Sequence, residues 1–141
     1  LERLAQQAPP ERDQLLLIGR RHVRSNNSWM HNYHRLVKGK PRHQLLMHPD
    51  DLRHRQLQDG QTVRVRSRTG ALEVQVQACE EMMRGVVSLP HGYGHKRHGA
   101  QLQIAAAQPG VSANDLTDEQ LRDGVSGNAA LNGVPVDVEA A

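Results

Sequence analysis

One short stretch of the sequence carries most of the side chains that could bind a small molecule. It runs from Gly19 to Asn32, reads GRRHVRSNNSWMHN and follows a short apolar run, where a strand would end and a loop begin. Backbone amides, hydroxyls and an arginine fork bind phosphate oxygens, and an asparagine can bind a ring edge. The pattern favours a site for a phosphorylated heterocycle. A surface loop in which Ser and Asn only make local turns explains the same composition.

Trp29 is the only tryptophan, and the sequence has no phenylalanine. A lone large aromatic residue is either an anchor of the core or a platform on which a ligand stacks. The sequence leaves both roles open for Trp29.

Three histidines, His91, His95 and His98, fall close together in HGYGHKRHG. A histidine metal site usually needs help from carboxylates or thiolates, and the neighbouring sequence offers none. The flanking glycines favour a flexible strand exit that lets a ligand approach the backbone. We therefore predict that no metal is bound here.

No catalytic set is evident. The sequence lacks a nucleophile elbow around a serine, and Cys79 is followed by Glu80 and Glu81, whose charges disfavour a reactive thiolate.

A row of arginines on a candidate hairpin could bind nucleic acid, but aromatic stacking partners are missing. We therefore predict that this face is solvated and that the protein has no nucleic-acid partner.

Composition sets the broad class of protein. The chain has 141 residues, which allows one domain, and 18 Lys and Arg against 15 Asp and Glu, which suits an anionic partner. A single cysteine fits a reducing compartment, so we expect a cytoplasmic location. No apolar run approaches the ~20 residues of a membrane span, and no membrane contact is predicted. Residues 1–13 are expected to be a linker within a longer protein, and residues 14–141 the domain.

Short apolar segments alternate with glycine-rich or polar loops along the chain. Strands are predicted in QLLLIG, HQLLMH and GVVSLPHG, in two arms of a hairpin, and in GVPVDVE near the end. Short helices are predicted in PDDLRHRQLQDG, between a proline start and Gly60, and in SANDLTDEQLRDG, with Ser112 or Asn114 as its cap. Because few helices are available to cover strand edges, the pattern favours a closed barrel over a Greek-key sandwich.

The hairpin is the clearest element. In QTVRVRSRTGALEVQVQA, apolar and polar residues alternate on both sides of Thr69 and Gly70. This predicts that Arg64 and Arg66 point outward and that the apolar residues point into the barrel, namely Val63, Val65, Leu72, Val74 and Val76.

Taken together, LIGRRHVRSNNSWMHN, the segment from MHPDDLRHR to SLPHGYGH, SANDLTDE and DGVSGNAALNGVPVDVE resemble one family in order and spacing. They are similar to the C-terminal molybdopterin dinucleotide-binding domain of the molybdopterin oxidoreductases, which include formate dehydrogenases, nitrate reductases and dimethyl sulfoxide reductase. The likeness runs from about Leu15 to Glu139. It implies a mainly β fold, a six-stranded double-psi β-barrel with a few short helices.

The resemblance also implies a ligand and a set of contact residues. The cofactor would be molybdopterin guanine dinucleotide with Mo or W, held by loops at one face of the barrel. The implied cofactor-binding residues are Gly19, Arg20, Ser25, Asn26, Ser28, Trp29, His31, His91, Gly92 and Asn114.

The family takes the protein ligand of the metal, and any iron–sulfur cluster, from other domains. The partners implied are therefore the remaining domains of a parent oxidoreductase, and this chain alone is expected to be inactive. The alternative is a stand-alone double-psi barrel that recruits a protein or nucleic-acid partner, because fold alone does not decide function.

Overall fold

The computed structural model describes residues 13–96, 98–99 and 101–141, so that all but one residue of the expected linker lie outside it. The strands are β1 Leu15–Arg20, β2 Leu45–Met47, β3 Thr62–Arg66, β4 Ala71–Ala78, β5 Val86–Pro90 and β6 Val134–Ala140. The helices are α1 His34–Val37, α2 Pro49–His54 and α3 Gln103–Ala107, with a 3-10 helix at Ala113–Leu116. No helix of this described part is long and apolar enough to cross a membrane.

The six strands close into a barrel in the order β1-β5-β2-β4-β3-β6. This confirms the mainly β, six-stranded barrel and rules out the sandwich. Strand β1 runs parallel to β5, with Gly19 opposite Leu89 and Arg20 opposite Pro90. Because parallel strands end at the same edge, the loops that follow β1 and β5 leave the barrel side by side.

The hairpin has the predicted orientation. Val63 and Val65 are fully buried, and the three apolar residues of β4 are buried with them. Arg64 and Arg66 lie outside, where they pair with Glu73 and Glu139. Alternation is visible in the sequence because only one face of this sheet packs on the core.

Strand β1 differs from its prediction. The continuous apolar run suggested burial on both faces, but Leu15 and Leu17 are buried while Leu16 and Ile18 are only partly covered. The second face of β1 is partly open because no long helix covers it. The run of Leu and Ile therefore predicted more burial for β1 than the structure shows.

Helix α2 begins at Pro49 as predicted but ends well before Gly60. Gln56 adopts the left-handed conformation, with φ of 56°. The Leu57 amide then donates to the Leu52 carbonyl at 2.9 Å, and the Gln56 amide to the Arg53 carbonyl at 3.1 Å. This is the Schellman ending, which normally takes glycine, and here it turns Leu57 back into the core beside Leu52.

The second predicted helix is only the 3-10 turn Ala113–Leu116. Ser112 precedes it but makes no capping side-chain bond with the described residues. The predictions of two helices missed α1 and α3, which contain only four and five residues and lack a cap signal in the sequence.

Candidate functional site

The loop after β1 is shaped by two consecutive asparagines. Asn26 and Asn27 both have positive φ, 42° and 62°. Asparagine tolerates this region better than other non-glycine residues, because its short amide bonds locally. The Met30 amide closes the turn by donating to the Ser25 carbonyl at 3.1 Å. The backbone of Asn27 and Ser28 is thereby turned toward the loop that follows β5.

A groove of about 410 Å³ lies at this edge of the barrel. Its walls come from the loops after β1 and β5, from the 3-10 helix and from the segment before β6. The lining residues are Arg21, Asn27, Ser28, His91, Gly92, Tyr93, His95, Ser112, Ala113, Asn114 and Leu131. Among these described residues none carries a carboxylate, while arginine, amide, hydroxyl and imidazole groups are all present. The groove therefore suits an anionic ligand with a polar ring.

Two glycines allow the loops to meet. Gly92 has φ of 87°, and a Cβ there would lie 2.3 Å from the Asn27 carbonyl oxygen and 2.8 Å from the Ser28 nitrogen. Gly19 lies against the His91 ring, and its Cβ would lie 2.0 Å from Nε2. At Gly92 the clash is with backbone, which excludes a side chain, whereas at Gly19 the His91 ring would have to move aside.

Arg20 lies away from the groove. Its guanidinium donates to the carbonyls of Ser88 at 2.5 Å, Gln44 at 2.6 Å and Arg42 at 3.3 Å. It thereby ties β1 to β5 and to the segment before β2. Arg21, which follows it, lines the groove. Adjacent residues at a strand end point to opposite sides, so the arginine expected at a ligand and the arginine that lines the groove differ by one position.

The other expected site residues fall into three groups. Ser28, His91, Gly92 and Asn114 line the groove together, although they are far apart in sequence. Ser25 and His31 are buried and line a smaller pocket behind it. Asn26 and Trp29 are exposed, and Trp29 is 82% exposed, which excludes its role as a core anchor.

Several lining residues were missed from the sequence. Arg21 and Asn27 are direct neighbours of expected residues, and the signal lay in the alternation of the strand and in the paired asparagines. His95 was considered only as a metal ligand. Leu131 comes from a segment of weak pattern, and Asn132 beside it accepts a bond from the Gly19 amide at 2.7 Å across 113 positions. No sequence signal marks that contact.

The histidines of the site are neutral at neutral pH. Burial lowers the pKa of His91, and the nearby Arg21 lowers it further. Burial also lowers the pKa of His95, against the opposing effect of the Gly92 carbonyl. Their rings therefore offer hydrogen bonds rather than charge, and the cation at the groove is Arg21.

The three histidines considered for a metal do not converge. His95 bonds to His31, with 2.7 Å between the ring nitrogens, while His98 is exposed. In the described part of the chain no three His, Cys, Asp or Glu residues are grouped so that they could hold a metal ion. The absence of a bound metal stays a prediction.

A closed six-stranded barrel with a donor-rich groove between the ends of two parallel strands defines a ligand-binding domain. Comparison with known proteins makes this specific. The profile of the molybdopterin dinucleotide binding domain matches residues 15–135. The chain belongs to this domain family.

Two curated relatives are similar in sequence, and one solved structure is similar in fold. The chain is 31% identical over 123 residues to a subunit of tetrathionate reductase from Salmonella typhimurium, covering 74% of this chain and 12% of that protein. It is 30% identical over 94 residues to biotin sulfoxide reductase of Cereibacter sphaeroides, covering 67% of this chain and 13% of that protein. Acetylene hydratase from Pelobacter acetylenicus shares the fold, with a TM-score of 0.70 and 18% identity over 90% of this chain and 18% of that one. The chain thus spans about an eighth of the curated relatives.

Proposed function

We propose that this chain is the C-terminal domain of a molybdopterin oxidoreductase and that its groove holds the nucleotide part of molybdopterin guanine dinucleotide. The observation that carries the proposal is the groove itself, in which Arg21, Ser28 and Asn114 converge beside Gly92 without an opposing carboxylate among the described lining residues. A pyrophosphate needs several donors at once, and one loop rarely supplies them all. Here two separate segments supply the side-chain donors, the loop after β1 and the 3-10 helix.

The lining residues offer different kinds of contact to a nucleotide. Arg21 provides the charge-assisted contact to a phosphate, the role first expected of Arg20. The Ser28 hydroxyl is a further donor, and the exposed amide of Asn114 can bind the edge of the base. Gly92 has no side chain between the groove and the backbone, so that a ligand can approach closely.

The residues present fit the dinucleotide better than they fit the metal. When bound, the Mo or W of such a cofactor supplies the redox chemistry. The described residues show no group of three metal ligands. As the family resemblance implies, the protein ligand of the metal and any iron–sulfur cluster would come from other domains. We therefore expect this chain alone to be inactive and the remaining domains of the parent to be its partners.

Exposed apolar side chains support that arrangement. Val23, Trp29 and Tyr33 project from the loop after β1, beside the groove. Apolar side chains clustered on one loop mark a contact surface more often than a solvated one. The single cysteine, Cys79, supports a reducing and hence cytoplasmic compartment for the parent.

The test is a titration of the chain with guanosine diphosphate, followed by the fluorescence of Trp29, the only tryptophan. We expect weak saturable binding, because other domains would complete the site. Arg21→Ala should weaken binding by about tenfold, the effect of a lost charge-assisted bond. Arg64→Ala is the matched control, since it removes an equal charge from the exposed hairpin. Equal affinities of the two variants would contradict the proposal.

A further inference from the structure

We propose that His31 is a positioning residue that fixes the ring of His95 at the wall of the groove, so that a bound nucleotide meets a neutral imidazole in one tautomer. This inference rests on the proposed function, since His95 lines the groove. It is carried by the distance of 2.7 Å between His31 Nδ1 and His95 Nε2. The rings meet edge to face, at 88°.

His31 is held firmly enough to orient a neighbour. It is 4% exposed, and its amide donates to the Ser28 carbonyl at 3.2 Å. The next residue, Asn32, accepts bonds through Oδ1 from the amides of Ile104 at 3.0 Å and Ala105 at 3.3 Å. The loop is thus fastened to the start of α3, and the centre of the His31 ring lies 4.2 Å from that of Tyr93, with the two rings tilted by 41°.

The location of the proton follows from burial. Two ring nitrogens at 2.7 Å need a proton on one and a lone pair on the other. The other nitrogen of His31, Nε2, is buried and finds no partner among the described residues. A buried N–H without an acceptor costs more than an unpaired lone pair. His31 therefore carries its proton on Nδ1 and donates to His95 Nε2, which leaves the proton of His95 on Nδ1.

The surroundings keep the pair uncharged. The titratable and charged groups that line the two pockets of the pair are Arg21, Arg24, Arg42, His91 and Tyr93, and His43 acts on His31 electrostatically from behind Tyr93. None of these described groups is a carboxylate. Burial lowers the pKa of His31, and His95 and His43 lower it further, against the opposing effect of the Gly92 carbonyl. A proton added to either ring meets only cations or neutral groups.

A consequence for recognition follows. Because His31 occupies Nε2 of His95, the only hydrogen that this imidazole has left for a ligand is the one on Nδ1. A donor suits an acceptor oxygen, such as a phosphate or a ring carbonyl of the ligand. The pair thus gives the groove a second kind of donor beside Arg21. This donor carries no charge, and its direction is fixed by His31.

The experiment is nuclear magnetic resonance of the chain with nitrogen-labelled histidine, which reports the tautomer and pKa of His95, together with a titration by guanosine diphosphate. His31→Leu removes the donor, and His31→Asn is the matched rescue, since its amide nitrogen can take the place of Nδ1. In the wild type His95 should be in the Nδ1–H tautomer. In His31→Leu the other tautomer of His95 should appear, and nucleotide affinity should fall about fivefold, as for one neutral hydrogen bond. His31→Asn should restore tautomer and affinity.

Two results would overturn the inference: a wild-type His95 protonated on Nε2, or a folded His31→Leu chain in which the tautomer of His95 is unchanged. If His31→Leu does not fold, the wild-type tautomer decides. Failure of the wild type to bind guanosine diphosphate contradicts the proposed function instead, and the tautomer still tests the positioning of His95.

Discussion

Gly19 lies so close to His91 that a methyl group at its Cα would fall 2.0 Å from the imidazole Nε2. The two residues come from neighbouring strand ends, and the His91 amide donates to the Arg20 carbonyl at 3.1 Å. The glycine at the end of β1 is therefore fitted to the histidine that follows β5.

Gly19→Ala should force the His91 ring out of place and cost about 1 to 3 kcal/mol of unfolding free energy, as overpacking does. The measurement is chemical denaturation in a double-mutant cycle with His91→Ala. In the His91→Ala background the same substitution should cost much less, because the atom it strikes is gone. Equal costs in both backgrounds would show that the contact does not matter.

Gly92→Ala should be more severe, at about 3 kcal/mol or more, because it adds a clash to a strained conformation. The Cβ would strike the backbone of Asn27 and Ser28, which cannot rotate away. Gly60→Ala is the matched control, since Gly60 has a similar φ of 80° but its Cβ would meet none of the described atoms within 4 Å. Its cost should be about 1 kcal/mol. Similar unfolding midpoints for the two variants would contradict the close contact between the loops that follow β1 and β5.

The stability of the fold can be raised by a substitution at the C-terminal end of helix α2. Gln56→Gly should stabilise the fold by about 0.5 to 1 kcal/mol, because glycine adopts the left-handed φ of 56° without a Cβ penalty. Gln58→Gly is the control: it lies two residues on, outside the positive-φ positions, and should destabilise. Thermal unfolding of both variants is the check, and a less stable Gln56→Gly would be evidence against the Schellman ending.

Arg68 donates to both carboxylate oxygens of Asp118, joining the hairpin turn to the segment after the 3-10 helix. This pairing lowers the pKa of Asp118 to about 2 from its ordinary 3.8. A depressed carboxyl pKa stabilises the fold above pH 3.8 and loses that effect as the pH falls through about 2. The stability gap between the wild type and Asp118→Asn should therefore be constant near neutrality and close within this window. A gap that is flat down to pH 2 would contradict the ion pair.

The sequence predicted the individual strands better than the contacts between segments that are far apart in the chain. The hairpin was predictable because alternation in Val63, Arg64 and Val65 reports one buried face directly. The pairing of β1 with β5 joins residues about 70 positions apart, and no local pattern encodes it. For the same reason the loop after β1 could be predicted as a site from its own residues, while the bond from His31 to His95, across 64 positions, was not foreseen.

Arg20 and Arg21 show what the sequence could not predict within the candidate site. Arg20 and Arg21 have the same chemistry, so that residue type could not separate them. Only the direction of the strand end does: Arg20 is enclosed by three carbonyls, and Arg21 faces the groove. A one-residue difference in a strand moves a side chain to the other side.

The central claim is that the groove beside Gly92 holds the dinucleotide, and the most direct test is the cofactor content of the parent protein. The parent would be purified with Arg21→Ala and Asn114→Ala together, and with Arg64→Ala as the control for lost charge. Released pterin nucleotide and bound Mo or W would be measured against folded protein. We predict a clear loss of both from the double variant and full content in the control. Full pterin and metal content in the double variant would contradict the account.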